Sequence, residues 1–431
     1  MTRLTRFPSS AQAARLVFVA TALVLAAGAG AQSSSEERAV RAAARADALS
    51  HAVRDPALLA QLRRPGEADK PKISLGREVF RDHNLSEPAG QACESCHRTN
   101  RAFTSKGAVS AGADPELFGF RNAPTITYAM YTPPLQKAAE DGATGYLGGQ
   151  FRDGHAQTLQ DQVAFPLTNP VEMGNPDLAA VVAKVSAASY ADTFRQIYGD
   201  DVFSNQDTAV AAIEDAIATY ERASEFRRFD SKWDAYWAGK ATLTDAEERG
   251  RVVFTDPDHA ACSGCHLVQP DKGAGHALLT DYGYDNIGIP RNPANPYYRM
   301  PAEINPEGHK FVDIGLQNVL GKQSTRGQFK SPSLRNVAVT GPWGHNGYFK
   351  TLRGLLDFYN TRDVKPRCAD KFTSEADAEK QGCWPEPEVE KNENKIDLGN
   401  LKLTDQQIDD LLVFLGTFTD GYGEAAEASP R

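Results

Sequence analysis

Two short patterns constrain this chain more than any other feature: Cys93-Glu94-Ser95-Cys96-His97 and Cys262-Ser263-Gly264-Cys265-His266. Both read C-x-x-C-H. Two thiols at i and i+3 lie on one helical turn, where they can add to the two vinyl groups of a haem, and the next residue's imidazole then lies under the iron as proximal ligand. One copy would also fit zinc. Two copies point to two covalent haems c, held by Cys93, Cys96 and His97 and by Cys262, Cys265 and His266.

The amino terminus supports an exported chain. Arg3, Arg6 and Arg15 precede an apolar run from Leu16 to Ala27, followed by Ala29-Gly30-Ala31, an A-x-A cleavage pattern. The run is shorter than the ~20 residues that span a bilayer. Residues 1–31 therefore read as a signal peptide cleaved near Ala31, giving a periplasmic protein without stable membrane insertion. The remaining cysteines, Cys368 and Cys383, lie in a polar, Pro-containing segment and are expected to form a disulfide in an oxidising compartment. Across 431 residues, 47 Lys and Arg stand against 56 Asp and Glu, a net charge of −9. A nucleic-acid binder would show a basic footprint, so none is expected; an acidic surface suits a basic or dipolar protein partner.

The chain repeats itself. Residues 32–72 are polar and Ala-rich and read as one exposed helical extension (Glu36 to Leu62) without chemistry of its own. Gly76-Arg77-Glu78-Val79-Phe80-Arg81-Asp82 then leads to the first motif, and Gly250-Arg251-Val252-Val253-Phe254-Thr255-Asp256 leads to the second behind a Thr244/Glu247 capping box. Each half closes with a helical pattern, Thr208 to about Ser224 and Thr404 to Phe418. Helix, haem motif, long ligand-bearing loop and closing helix describe a cytochrome c domain. The expected fold is mainly α, with two cytochrome c-like domains, residues 73–239 and 240–431, and the boundary near Gly239.

The repeat also sets a register for iron ligands. Asp153-Gly154-His155-Ala156-Gln157-Thr158-Leu159 matches Asn346-Gly347-Tyr348-Phe349-Lys350-Thr351-Leu352, which makes Pro166 and Tyr359 pseudo-equivalent. Proline cannot ligate iron, whereas a phenolate can. The first haem is thus expected open and the second capped by Tyr359. Met130 lies in an apolar Tyr-Ala-Met-Tyr stretch that reads as core, and Met300, His276 and His309, in a long loop, rank below Tyr359 as second ligands. An open haem acting on peroxide needs a proton moved between the two oxygens. Glu172 can shuttle it, and Gln162 can hydrogen-bond the bound oxygen.

With both motifs, the stretch from Asp153-Gly154 through Gln162 and Pro166 to Asn169-Pro170-Val171-Glu172-Met173-Gly174, and Ser331-Pro332-Ser333-Leu334-Arg335-Asn336-Val337 running to Gly341-Pro342, the chain resembles the bacterial di-haem cytochrome c peroxidase family over about residues 73–420. Within it the chain looks closest to the MauG-like branch, because an axial position held by methionine in ordinary members falls on Tyr359. The resemblance implies that His97 serves the peroxide-reactive haem and that His266 and Tyr359 ligate the other. Gln162, Pro166 and Glu172 would line the distal pocket. It further implies a calcium between the haems, held by the Asn122 side chain and the carbonyls of Thr340 and Pro342, oxygen donors of the kind calcium takes.

Two departures qualify the likeness. Where the family usually has Trp-Asp-Gly-Arg, this chain has Arg152-Asp153-Gly154-His155, so the tryptophan that relays holes between the haems is missing; Trp343 is the candidate substitute, and His155 has an alternative reach towards the first haem or a propionate. The other is the Cys368/Cys383 insertion after Tyr359. The leading expectation is a MauG-like enzyme that uses hydrogen peroxide to oxidise a protein or small-molecule substrate. The alternatives are a peroxidase fed by a small redox protein and a non-enzymatic di-haem electron carrier.

Overall fold

Two helix crossings organise the molecule, and in each a glycine lets the backbones touch. The Lys70–Phe80 helix crosses the Gln206–Glu221 helix at Gly76, where an added Cβ would stand 2.0 Å from the Ala216 carbonyl oxygen. The Asp245–Thr255 helix crosses the Asp405–Gly416 helix at Gly250, where a Cβ would stand 2.1 Å from the Asp410 carbonyl oxygen. The rings beside the crossings repeat as well: Phe80 meets Tyr220 at 5.3 Å and Phe254 meets Phe414 at 5.4 Å between centroids. Phe80, Phe254 and Phe414 are each at most 1% exposed, and burial of such a side chain contributes roughly 1.5–3 kcal/mol.

The computed structural model describes residues 35–52, 58, 62–138, 145–258, 260–270 and 275–423, so the expected signal segment lies outside it. Within these residues the chain is mainly helical. The two capping boxes form: Thr244 Oγ1 accepts the Glu247 N–H while the Glu247 carboxylate accepts the Thr244 N–H, and Thr404 and Gln407 repeat the exchange. The sheets are two-stranded and antiparallel, Gln136–Lys137 against Tyr146–Leu147 and Tyr284–Asp285 against Phe329–Lys330. Among the described residues no helix is long and apolar enough to cross a membrane.

One apolar core surrounds the first crossing and another the second. A third cluster, including Tyr128, Met130 and Leu159 together with Leu278 and Tyr282, joins the two halves. Two expectations need correction. Trp233 precedes Gly239 yet packs in the second core, with its indole N–H donating to the Val268 carbonyl, so the Lys232–Trp237 helix goes with the second half and the divide by packing falls before it. Nor is the amino-terminal helix, Ser35–Ala52, a free exposed element without chemical contacts: Ala48, Leu49 and Ala52 are buried, and Arg45 reaches Cys265 Sγ and Asp281 at 3.0 Å and also pairs with Asp285. A cation at that depth lies beyond what helical periodicity reveals. Cys368 and Cys383 form a disulfide, Cα atoms 5.1 Å apart, inside an apolar cluster with Phe349, Phe358 and Trp384 that also touches Tyr359.

Candidate active site

Both C-x-x-C-H motifs adopt the same turn. His97 N–H donates to the Cys93 carbonyl and His266 N–H to the Cys262 carbonyl, each at 2.9 Å. His97 Nδ1 meets the Phe103 carbonyl at 3.0 Å and His266 Nδ1 meets the Leu279 carbonyl at 3.1 Å. An Nδ1–H held by a carbonyl sets the ring's orientation and leaves Nε2 as the free nitrogen, the arrangement an iron ligand requires. Burial lowers the pKa of both imidazoles, His266 to about 4, which keeps them neutral at pH 7.

Cys93, Cys96 and His97 open onto a cavity of about 590 Å³ whose walls include Gln162, Phe165, Pro166, Glu172 and His155. The first three of these lie on the Leu159–Thr168 helix, which Thr158 caps by accepting the Asp161 N–H. After it the chain doubles back: Glu172 and Gly174 both donate to the Asn169 carbonyl and Met173 donates to the Pro166 carbonyl, which turns Glu172 towards the same cavity as Gln162. Gly174 makes the turn possible, with φ +69° and a hypothetical Cβ 2.4 Å from the Glu87 carbonyl oxygen. Burial raises the Glu172 pKa, against a hydrogen bond from Asn169 and the charge of His155. The carboxyl therefore holds a proton at higher pH than an ordinary glutamate.

In the second half the Leu352–Thr361 helix repeats this element, with Thr351 as its cap and Tyr359, like Pro166, as its eighth residue. Tyr359 and Cys262 pack against the same apolar core, and the Tyr359 pKa is pushed up first by burial and then by the Cys262 and Cys265 thiols. The competing residues are engaged elsewhere: Met300 Sδ accepts the Phe118 N–H, His276 pairs with Asp234, and His309 stacks on Tyr298. Trp343 lines the first cavity and packs with Tyr359 in the second half's apolar clusters, its indole N–H on the Val337 carbonyl.

Charge is arranged around the first cavity in two ways. Asp153, 5% exposed, bonds His155 Nδ1 at 2.5 Å and Arg121 at 2.7 Å; burial would raise its pKa, but these two partners hold it at about 2. His155 stacks on Phe151 with ring centroids 3.8 Å apart. Arg152 and Lys330, by contrast, line the cavity with no carboxylate paired to either among the described residues. Burial lowers both, Arg152 to about 10 and Lys330 to about 7. Two thiols, a neutral imidazole and two basic side chains without counter-ions among the described residues, around a mainly apolar space, fit a haem with its propionates.

The calcium expectation does not fit. Both oxygens of Asn122 are taken by one guanidinium: Arg152 Nη2 donates to Oδ1 at 2.7 Å and Nε to the backbone carbonyl at 2.8 Å. Arg101 Nη2 donates to the Gly341 carbonyl at 3.0 Å, between Thr340 and Pro342. A divalent cation among these groups would face cations already in place, and among the described residues no cluster of His, Cys, Asp or Glu offers charge to offset that. One further residue escaped the sequence reading: Glu221, at the cavity wall near Cys93, pushed up to about 8 by burial, with Oε2 unpartnered. Its signal was a glutamate on the apolar stripe Ile213, Ile217, Glu221 of the closing helix.

A family profile described as di-haem cytochrome c peroxidase matches residues 70–242. The chain is 38% identical over 363 residues to the methylamine utilization protein MauG of Paracoccus denitrificans, the match covering 82% of this chain and 89% of that protein. It is 27% identical over 296 residues to the cytochrome c551 peroxidase of Nitrosomonas europaea, covering 68% and 73%. Among solved structures, the diheme peroxidase BthA from Burkholderia thailandensis aligns with a TM-score of 0.68 and 32% identity over 83% of this chain and 87% of that one.

Proposed function

Because the chain belongs to the di-haem cytochrome c peroxidase family, and so to oxidoreductases that act with peroxide, we propose that it is a periplasmic MauG-like oxidase. In this reading it takes up hydrogen peroxide at the first motif and oxidises a protein or small-molecule substrate through the second. The observation that carries the reading is Tyr359, packed on the same apolar core as Cys262 at the helix position that Pro166 occupies in the first half. The greater likeness to the Paracoccus denitrificans MauG than to the Nitrosomonas europaea c551 peroxidase, in identity and in the share of chain covered, supports it.

When bound, the two haems supply redox-active irons, one reacting with peroxide and one storing an oxidising equivalent. His97 and His266 would hold them, each ring oriented by a backbone carbonyl. Pro166 offers no donor atom and would leave the cavity open to peroxide, which Gln162 on the same wall would hydrogen-bond. Glu172, its pKa raised by burial, would take a proton from one peroxide oxygen and return it to the other, which leaves as water as the O–O bond breaks, the two electrons this requires being supplied by the haems. His155, 31% exposed and anchored by Asp153, connects Glu172 electrostatically to the solvent side of the cavity. Tyr359, kept a phenol by burial, would give up its proton on binding the second iron and, as a phenolate, would favour the higher oxidation states, in contrast to the thioether of a high-potential cytochrome. Trp343 spans the two sites and provides an oxidisable ring where Arg152 does not. The two helix crossings with their motifs then constitute two cytochrome c-like domains.

The test is low-temperature electron paramagnetic resonance of the ferric holoprotein, with Tyr359→Phe and Tyr359→Met beside it. A high-spin and a low-spin signal are expected, the latter altered only in the Tyr359 variants and both bleached by stoichiometric peroxide. Two low-spin signals indifferent to peroxide would remove the oxidase reading. Rapid peroxide turnover by the unmodified protein on reduced small cytochrome or cupredoxin would favour the peroxidase alternative.

A further inference from the structure

We infer that Arg152 is the resident cation of the inter-haem junction, its guanidinium holding the Asn122 side-chain oxygen that the family resemblance would give to calcium. The contact sits where the two halves of the chain meet. Asn122 N–H donates to the His345 carbonyl and its side-chain amide to the Gly107 carbonyl, while Lys330 N–H donates to the Arg152 carbonyl. Residues 107, 122 and 152 from the first half are thereby tied to 330 and 345 from the second through one asparagine and one arginine.

The chemistry of the exchange is specific. A carbonyl and an amide oxygen of one residue, both aimed at the same point, suit either a hard cation or two N–H donors on a rigid planar fork, and a guanidinium supplies that fork with its charge built in. Arg152 bonds both Asn122 oxygens and has no carboxylate partner among the described residues, because the nearby Asp153 and Asp313 are taken by Arg121. Lys330, whose ammonium donates to the Gly149 carbonyl, adds a second cation without a counter-ion on the same wall. The charge a bound divalent ion would provide next to haem carboxylates is thus carried here by covalently attached side chains. The position where the family usually has the relay tryptophan is thus occupied by a group that anchors and cannot be oxidised.

The inference rests on the chain carrying two haems and is independent of which substrate it oxidises. The haem-loaded protein, verified at two haems per chain by its haemochrome spectrum, is dialysed against EGTA, then against millimolar CaCl2, and passed through a desalting column. Calcium is counted by elemental analysis and the ferric resonance spectrum recorded in each state. The wild type is expected to retain less than about 0.1 calcium per chain and to give one spectrum in both buffers. Arg152→Gln is expected to give an altered spectrum in EGTA that calcium shifts back, with uptake of about one calcium per chain. Arg152→Lys, which keeps the charge without the fork, should lie between. About one calcium in the wild type, lost to EGTA with a change in the spectrum, would overturn the inference, and so would an Arg152→Gln protein identical to wild type in both buffers. If Arg152→Gln does not load haem, the wild-type calcium count and Arg152→Lys decide alone.

Discussion

Replacing Asp153 by asparagine tests the charge network that frames the first cavity. The carboxyl titrates at about 2 instead of 3.8, with 5% of its side chain exposed. At 1.36 kcal/mol per pH unit that difference corresponds to roughly 2.5 kcal/mol of stability at pH 7. The sign follows from a folded-state pKa that is depressed: the stabilisation is fully present above the unfolded value near 4 and is lost as pH falls towards 2, with about half gone at pH 3. Asp153→Asn removes the charge but keeps the shape, leaving Arg121 with Asp313 alone and His155 with a weaker acceptor. The expected loss at pH 7 is roughly 2–4 kcal/mol, or a fall in Tm of about 5–10 °C. Denaturant unfolding of the haem-loaded protein, followed by far-ultraviolet circular dichroism at pH 7 and pH 3, gives the comparison, and the gap between wild type and variant should be markedly smaller at pH 3. An equal gap at both pH values, or one below about 0.5 kcal/mol at pH 7, would refute the reasoning.

Glu172→Gln keeps the hydrogen-bonding outline but cannot exchange a proton, so the second-order reaction with peroxide should slow by about 10²–10⁴-fold in stopped flow while haem content and the ferric spectrum stay as in wild type. Trp343→Phe should leave that first reaction intact and slow the peroxide-driven bleaching of the second haem signal, resolved by rapid-freeze resonance spectra; unchanged bleaching would assign Trp343 to packing. Gly250→Ala places a Cβ 2.1 Å from the Asp410 carbonyl oxygen and 2.7 Å from Phe414 Cβ, a backbone clash no rotamer relieves. The expected cost is about 1–3 kcal/mol, read as a lower Tm with the spectrum of the second haem changing first on heating.

Legibility followed the range of the interaction. The C-x-x-C-H turns, the capping boxes and the equivalence of Pro166 with Tyr359 all depend on groups within a dozen residues of one another, and backbone geometry carries such spacing directly into place. The glycines at the crossings were visible as repeat positions, although only the packed helices reveal that Gly76 and Gly250 admit a carbonyl oxygen where any side chain would stand.

What only the tertiary structure decided is where charges meet. Asp153 is joined by Arg121, which also reaches across 192 positions to Asp313; Arg45 comes 220 positions to Cys265; and Arg152 closes on Asn122 from 30 residues away. A charged residue looks alike in sequence whether solvated or buried, because its cost and its partner are set by the dielectric and the neighbours that folding supplies. The sequence by itself thus determined the cofactor motifs, the helical repeat and the asymmetry of the two distal positions. Folding decided which cation stands between the halves, since that depends on long-range approach and not on local spacing.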